Sequence, residues 1–311
     1  MTKGISVFTT LNQNYLFQLQ VLLTSMKLNN PNEQIELYLL HSAIPDTGLA
    51  VVERQCHAYG YSFHPITVGA ELFNAAPVSQ QYPREMYYRL LAPHILPHTL
   101  DRALYLDPDI LIINPLRPLW DMDMQGCLFA AAAHTGKTEL ANNVNRIRLK
   151  SENNYYNSGV LLVNLADGRT AVKPNEIFGY IKEHRGGLLL PDQDVLNALY
   201  GDRILPLEDA IWNYDARNYS NYLLRSGGKC DSQWVMEHTA ILHFCGRAKP
   251  WKNNYIYRFG LLYRHYMQLT RRTLCRLEDG AGFESLVSRD SRGDGDTLCC
   301  NDRTEVVGWK G

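Results

Sequence analysis

Long apolar runs are absent from this 311-residue sequence. None reaches the ~20 residues that a membrane-spanning helix needs, and the longest, around residues 103–113, is interrupted by two aspartates. A cleavable leader is not visible either: Met1-Thr2-Lys3-Gly4 passes straight into the strand-like ISVFTT, so cytoplasmic residence is the expectation. Net charge is equally scarce. A formal charge of -1 at pH 7 leaves no electrostatic footprint for nucleic acid. The seven cysteines are odd in number, lack C-x-x-C spacing and fall below the density of a disulfide-stapled secreted domain. Also missing is the G-x-G-x-x-G turn with which a dinucleotide-binding unit cradles pyrophosphate after its first strand. The corresponding segment, Thr9-Thr10-Leu11-Asn12-Gln13-Asn14-Tyr15, contains no glycine. Any nucleotide bound here has its phosphates held chiefly by metal and side chains.

What is present is a globular composition, 45% hydrophobic, in which strand-like and helix-like segments alternate over roughly the first 250 residues. That pattern predicts an α/β fold with a mainly parallel sheet. ISVFTT is the first strand, and Tyr15, Leu16, Leu19, Leu22, Leu23 and Met26 follow at helical spacing until Asn29-Asn30-Pro31 stops them. IELYLL reads as the second strand, Asp46 as the cap of a helix ending at Gly60, and YSFHPITV as the third strand. A helical stretch at residues 87–91 is interrupted or ended by Pro93, and ALYLDPD closes this half of the sheet. GVLLVNL and AILHF are later strands, with VLNALY helical between them.

Two constellations carry chemistry. In ALYLDPDILII, Asp107 and Asp109 lie two apart within an apolar strand and so point to one side of it. Two carboxylates in a poorly solvated place repel unless a cation lies between them, and Mn²⁺ or Mg²⁺ suits that need. The competing reading is an exposed Asp-Pro-Asp turn, which the apolar flanks oppose. The second is HFCGRAKPW, a strand end running into a turn. Its His243 suits a third metal ligand, Gly246 permits close backbone approach and Lys249 neutralises phosphate; the bland alternative is a hydrogen-bonded core histidine. Cys245 reads as packing. Near the first turn, Asn12 and Asn14 can hydrogen-bond a base and Tyr15 can stack on it, against the alternatives of helix capping and core packing.

LYLDPDILI, NSGVLLVNL, PDQDVLNALY and HFCGRAKPW, in that order and at these separations, resemble the family 8 retaining glycosyltransferases, which include bacterial lipopolysaccharide galactosyl- and glucosyltransferases and glycogenin. The resemblance spans roughly residues 5–251. It implies a GT-A fold, a Rossmann-like sheet with D-x-D at a strand end, and transfer of glucose or galactose with retention from a UDP-sugar to a saccharide or lipid-linked acceptor, dependent on Mn²⁺. It implies Asp107, Asp109 and His243 as metal ligands, Lys249 with Gly246 as the diphosphate clamp, and Tyr15 stacked on uracil. Arg89, Asn157, Asp192 and Gln193 would contact the donor sugar, with Thr10, Asn12, Asn14, Pro108 and Ser158 completing the donor set. Gln193, Asp192 and Asp109 would be the catalytic groups. Members often carry aspartate at the position of Asn12, whose amide oxygen can still accept from the base imide. Each residue has a structural alternative: a helix N-terminus for Asp192 and Asp194, an ion pair for Arg89, a turn for Asn157. Two other function classes remain open, a catalytically silent UDP-sugar-binding module and a metal-dependent nucleotidyltransferase. The latter usually needs the glycine-rich loop that is missing.

The chain divides into 1–251, the transferase domain; 252–277, a basic amphipathic helix; and 278–311, a tail rich in Gly, Asp, Ser and Arg that reads as disordered. The helix places Tyr257, Leu261, Leu262, Tyr266 and Leu269 amid Arg258, Arg264, Arg271, Arg272 and Arg276. Such a helix packs on its own domain or attaches peripherally to the anionic inner face of a membrane. Trp212, Tyr214, Tyr219 and Tyr222 form either an acceptor-stacking surface or core. Cys299-Cys300 has no site role.

Overall fold

The computed structural model describes residues 4–69, 85–133, 153–184 and 187–278. Its strands, in chain order, are β1 (Ile5–Thr10), β2 (Ile35–His41), β3 (Ser62–Thr67), β4 (Arg102–Leu106), β5 (Ile110–Ile112), β6 (Phe129–Ala132), β7 (Val160–Asn164), β8 (Ile204–Leu207), β9 (Tyr214–Asp215) and β10 (Ile241–His243). Seven of them form one sheet in the order β3-β2-β1-β4-β7-β6-β8, and three form a second in the order β5-β10-β9. In the larger sheet β3, β2, β1 and β4 run parallel, as do β6 and β8; β7 is antiparallel to both of its neighbours. Apolar clusters cover both faces, which is why β1 is buried along its whole length, its Ser6, Thr9 and Thr10 included. β6 and β8 escape a sequence reading because FAAA has weak strand propensity and ILPL contains a proline, which an edge strand tolerates.

The helix Leu16–Asn29 joins the two sheets. Leu19, Leu22, Leu23 and Met26 pack with the large sheet, while Val21 packs with the small one. Its third side meets the helices Asp46–Tyr59 and Gly260–Glu278 through polar groups. Gln55 donates to Gln20 O and Thr24 Oγ1, Thr270 Oγ1 lies 2.9 Å from Thr24 Oγ1, and Asn29 donates to Tyr266 OH at 2.8 Å. These directional contacts fix the register of the three helices.

Four expectations change. ALYLDPD is not one strand: β4 stops at Leu106, Pro108 and Asp109 form a turn, and β5 begins at Ile110 in the other sheet. Pro108 has no N–H to extend a ladder, so the chain changes sheets there. Pro45, not Asp46, occupies the N-cap of the helix that ends at Gly60 (φ +72°), and Asp46 sits in its first turn, where a carboxylate complements the helix dipole. The helix Glu85–Tyr88 ends before Pro93, which instead opens the next helix, Ala92–Ile95. The C-terminal helix starts at Gly260 rather than at residue 252, because Tyr255 and Phe259 are buried in a preceding turn and Gly260 lies against the Tyr255 ring.

That last helix packs on its own domain. Tyr263 is fully buried, Arg264 donates to Pro250 O and Lys252 O, and Arg271 stands over Phe17; just before the helix, Arg258 lies 4.1 Å over the Tyr219 ring. No helix among the described residues is long and apolar enough to cross a membrane. The tail beyond Glu278, with Cys299 and Cys300, lies outside the described residues.

Candidate active site

The C-terminal ends of β1, β4 and β10 and the start of β7 meet at one place, the crevice in which open α/β sheets bind ligands. Asp107 leaves β4 there, and its N–H donates to Gly159 O at 2.9 Å. Asp109 ends the turn, with its carbonyl accepting from Phe244 N at 3.0 Å. His243 ends β10 opposite Ile110. One ligand atom from each of Asp107, Asp109 and His243 falls within a set no more than 4.8 Å across. His243 Nε2 lies 3.7 Å from Asp107 Oδ2 and 3.3 Å from Asp109 Oδ1. Its Nδ1 lies 2.9 Å from Asn213 Oδ1, so the amide oxygen holds the ring with Nε2 toward the carboxylates. A Cβ on Gly159 would stand 2.3 Å from His243 Cε1 and 2.6 Å from Asp107 Oδ2, so only glycine leaves that space. Two carboxylates and an oriented imidazole are a donor set that fits a hard divalent cation.

Around this cluster the charges divide. Arg89 Nη1 lies 3.2 Å from Asp107 Oδ1 and 3.1 Å from Asp192 Oδ2, donates to Ser158 O, and stacks its guanidinium over the Tyr105 ring at 4.5 Å. Ser158 Oγ donates to Asp192 Oδ2 and Tyr105 OH to Asp107 Oδ1. Lys249 contacts Asp109 Oδ2 directly and donates to Phe244 O at 3.0 Å. Asn157 Nδ2 donates to Gln193 Oε1 at 3.1 Å, while Asn157 Oδ1 accepts from Gly159 N and Asn213 Nδ2. A cavity of about 240 Å³ opens above, lined among others by Thr10, Asn12, Tyr15, Arg89, the 107–109 turn and Lys249. Tyr15 is half-buried beside it, edge-on to Trp251. Asn12 caps the short turn Gln13–Tyr15 through Asn14 N, and Asn14 is exposed outside the lining.

The profile of glycosyl transferase family 8 matches residues 6–255. The chain belongs to this family. General stress protein A of Bacillus subtilis is 27% identical over 268 residues, covering 84% of this chain and 92% of that protein. The lipopolysaccharide 1,2-glucosyltransferase of Escherichia coli K12 is 26% identical over 262 residues, covering 81% and 74%. Among solved structures, the galactosyltransferase LgtC in complex with donor and acceptor sugar analogues superimposes with a TM-score of 0.70 at 22% identity, over 85% of this chain and 95% of that one. The fold is therefore GT-A, with Asp107-Pro108-Asp109 at the end of β4.

In this glycosyltransferase the electrostatics of the cluster follow from burial and pairing. Burial by itself would raise the Asp109 carboxyl, but the facing His243 and Lys249 outweigh it and hold the group well below the usual carboxylate range. His243 shows the opposite balance: burial would lower it, and Cys245 and the Asp109 carboxylate keep its proton bound far above the ordinary range. Lys249, lowered by burial and raised by Asp109, also ends above its usual value. A metal ligand has to be the neutral imidazole, so protonation of His243 and binding of a cation oppose one another.

Asn213, Gly159 and Tyr105 were not singled out from sequence. Asn213 precedes Tyr214 in the unremarkable WNYD, and only the pairing of β9 with β10 brings it to His243. The supposed stacking surface is core: Tyr214 and Tyr222 stack at 4.0 Å and are buried, and Tyr219 and Trp212 are partly buried against apolar clusters. A second cavity, of about 320 Å³, lies at the opposite end of β1, lined by Ser6, Asp101, Arg102 and Trp120 among others.

Proposed function

We propose that this glycosyltransferase moves glucose or galactose from a UDP-sugar to a saccharide or lipid-linked acceptor, with retention and with dependence on Mn²⁺. The observation that carries the reading is the convergence of Asp107, Asp109 and His243 beneath a cavity that also presents Tyr15, Arg89 and Lys249. A bound divalent cation supplies Lewis-acid stabilisation of the charge that develops on the leaving diphosphate. Asp107, Asp109 and His243 would hold it. Lys249 adds a second positive charge at the same end, so no protonated carboxyl of the glycosidase kind is needed. Tyr15 stacks on uracil, with Thr10, Asn12, Asn14 and Pro108 around the nucleoside and Gly246 approaching the diphosphate.

Arg89 holds Asp192 and Ser158 in one network, and this presents Asp192 to the sugar hydroxyls. Gln193 lies beneath the sugar, oriented by Asn157. An amide is a poor nucleophile, so the reaction is front-face. The acceptor oxygen attacks the anomeric carbon, the bond to the diphosphate oxygen breaks, and that oxygen takes the acceptor proton while Gln193 supports the cationic sugar. The lipopolysaccharide glucosyltransferases among the relatives support a cell-surface glycan as acceptor. Residues 1–251 are proposed as the catalytic unit and the tail after 277 as dispensable. Peripheral contact with anionic lipid would rest on Arg272 and Arg276.

The test is UDP release from UDP-glucose and UDP-galactose with and without Mn²⁺. Slow, Mn²⁺-dependent hydrolysis in the absence of acceptor is expected. UDP-sugar binding without any release identifies a silent binding module instead.

A further inference from the structure

Arg217 spends only part of its hydrogen-bonding capacity. Its backbone N–H and Nε donate to Asp215 Oδ1 at 3.0 and 2.9 Å, and Nη2 donates to Asp215 Oδ2 at 2.7 Å. Asp215 is 1% exposed and is itself held by Asn218 Nδ2 at 2.8 Å, so the anchor is fixed. A guanidinium carries five N–H donors. This side-on pairing uses two of them and leaves the end-on edge, Nη1 with the outer hydrogen of Nη2, shaped for a second planar oxyanion. The side chain is one-third exposed, 33% against the 1% of its partner. The arginine is therefore held in one conformation before any ligand arrives, which removes most of the ordering cost of a clamp.

Its place in the fold says what that edge meets. Asp215 pairs with His243 across β9 and β10, and Ala216 N donates to His243 O at 2.9 Å, so Arg217 runs alongside the loop that carries Gly246. The 107–109 turn flanks the same loop on its other side, through Asp109 O and Phe244 N. Gly246 has φ +80°, and a Cβ there would fall 2.2 Å from Arg217 Nη1; the guanidinium lies across the glycine where a side chain would otherwise stand. The cavity on the metal side is lined by Lys249 and the 107–109 turn, and Arg217 is not part of that lining. Arg217 and Lys249 thus face opposite sides of one loop.

We propose that Arg217 binds a phosphate or carboxylate group on the acceptor, so that this enzyme selects an acidic acceptor sugar. The proposal rests on the transferase reading above. The test is calorimetry on the full-length protein saturated with UDP and Mn²⁺, titrated with octyl glucoside, its 6-phosphate and octyl glucuronide. The last two ligands separate phosphate from carboxylate. The expected result is that one of the anionic sugars binds at least tenfold more tightly than the neutral one. Arg217→Lys, which keeps a cation beside Asp215 but has no end-on edge, should reduce that ratio to threefold or less with UDP affinity within twofold of wild type. The double variant Asp215→Asn/Arg217→Gln, in which a neutral amide pair replaces the ion pair, should behave the same way, which covers the case of a poorly folded lysine variant. Anionic sugars that bind no better than the neutral one, or not at all, overturn the proposal. So does a tenfold loss of UDP affinity in Arg217→Lys, which assigns the guanidinium to the donor diphosphate. Wild-type protein that fails to bind UDP overturns the transferase reading, and this proposal with it.

Discussion

Asp107 and Asp109 stand two residues apart in one motif, yet the two halves of the molecule hold them differently. Asp107 belongs to the seven-stranded sheet: Arg89, Tyr105 and, through Arg89, Asp192 and Ser158 surround it, and it keeps some contact with solvent. Asp109 belongs to the three-stranded sheet: it is buried, with His243 on one oxygen and Lys249 on the other. A cation between them would therefore pin one sheet to the other at the point where the chain crosses. One aspartate is tied to the groups assigned to the donor sugar and the other to the groups assigned to the diphosphate, so the motif couples the two ends of the bond that breaks.

The largest effect expected from breaking this pairing is that of Asp109→Asn. UDP release, measured against Mn²⁺ concentration, should fall a hundredfold or more, roughly 3 kcal/mol on the scale of lost oxyanion stabilisation. Melting should stay near normal. A variant with the wild-type rate and Mn²⁺ dependence would remove the basis for calling this a metal site. Asn213→Ala acts chiefly on the small-sheet side, although it also removes a donor to Asn157 Oδ1. Freed from its Nδ1 partner, His243 should lose orientation and Mn²⁺ affinity should drop about 10- to 100-fold, whereas the Arg89–Asp192 contacts remain. Electron paramagnetic resonance titration of free Mn²⁺ measures this without turnover.

Tyr15→Ala touches neither half's charges and should weaken UDP binding by roughly 1–3 kcal/mol, the scale of a lost aromatic–base stack. Unchanged affinity by calorimetry would return Tyr15 to a packing role against Trp251. A double-mutant cycle in metal-free protein sharpens the contrast further. Asp109→Asn with Lys249→Met should show a coupling of about 1 kcal/mol in urea unfolding, and Asp107→Asn with Lys249→Met less than about 0.5 kcal/mol. Equal couplings would mean that the aspartates share one environment. The smallest effect, within about 0.5 kcal/mol of wild type, is expected from ending the chain at Leu277. Removing the helix from Gly260 onward should instead unfold the protein, because Tyr263, Thr270 and Tyr266 close the packing against the helix Leu16–Asn29.

The sequence alone carried the alternation of strands and helices, since apolar periodicity and breakers such as Asn29-Asn30-Pro31 act locally, and it carried the identity of the charged groups, since carboxylates and a histidine amid apolar residues demand partners. Its reason for pairing the aspartates did not hold. They face one another across a turn between two sheets rather than along one strand, so the alternatives of turn and metal site were never exclusive. Local pattern cannot show this, because strand pairing over long separations decides which loops share a crevice. Asn213 reaches His243 only through the β9–β10 pairing, Gly159 matters only because β7 runs antiparallel to β4, and Arg217 gains its free edge from an aspartate facing the other way. Residue chemistry is fixed by the chain, whereas distance and burial, which decide what that chemistry can do, are set by contacts between segments far apart in sequence.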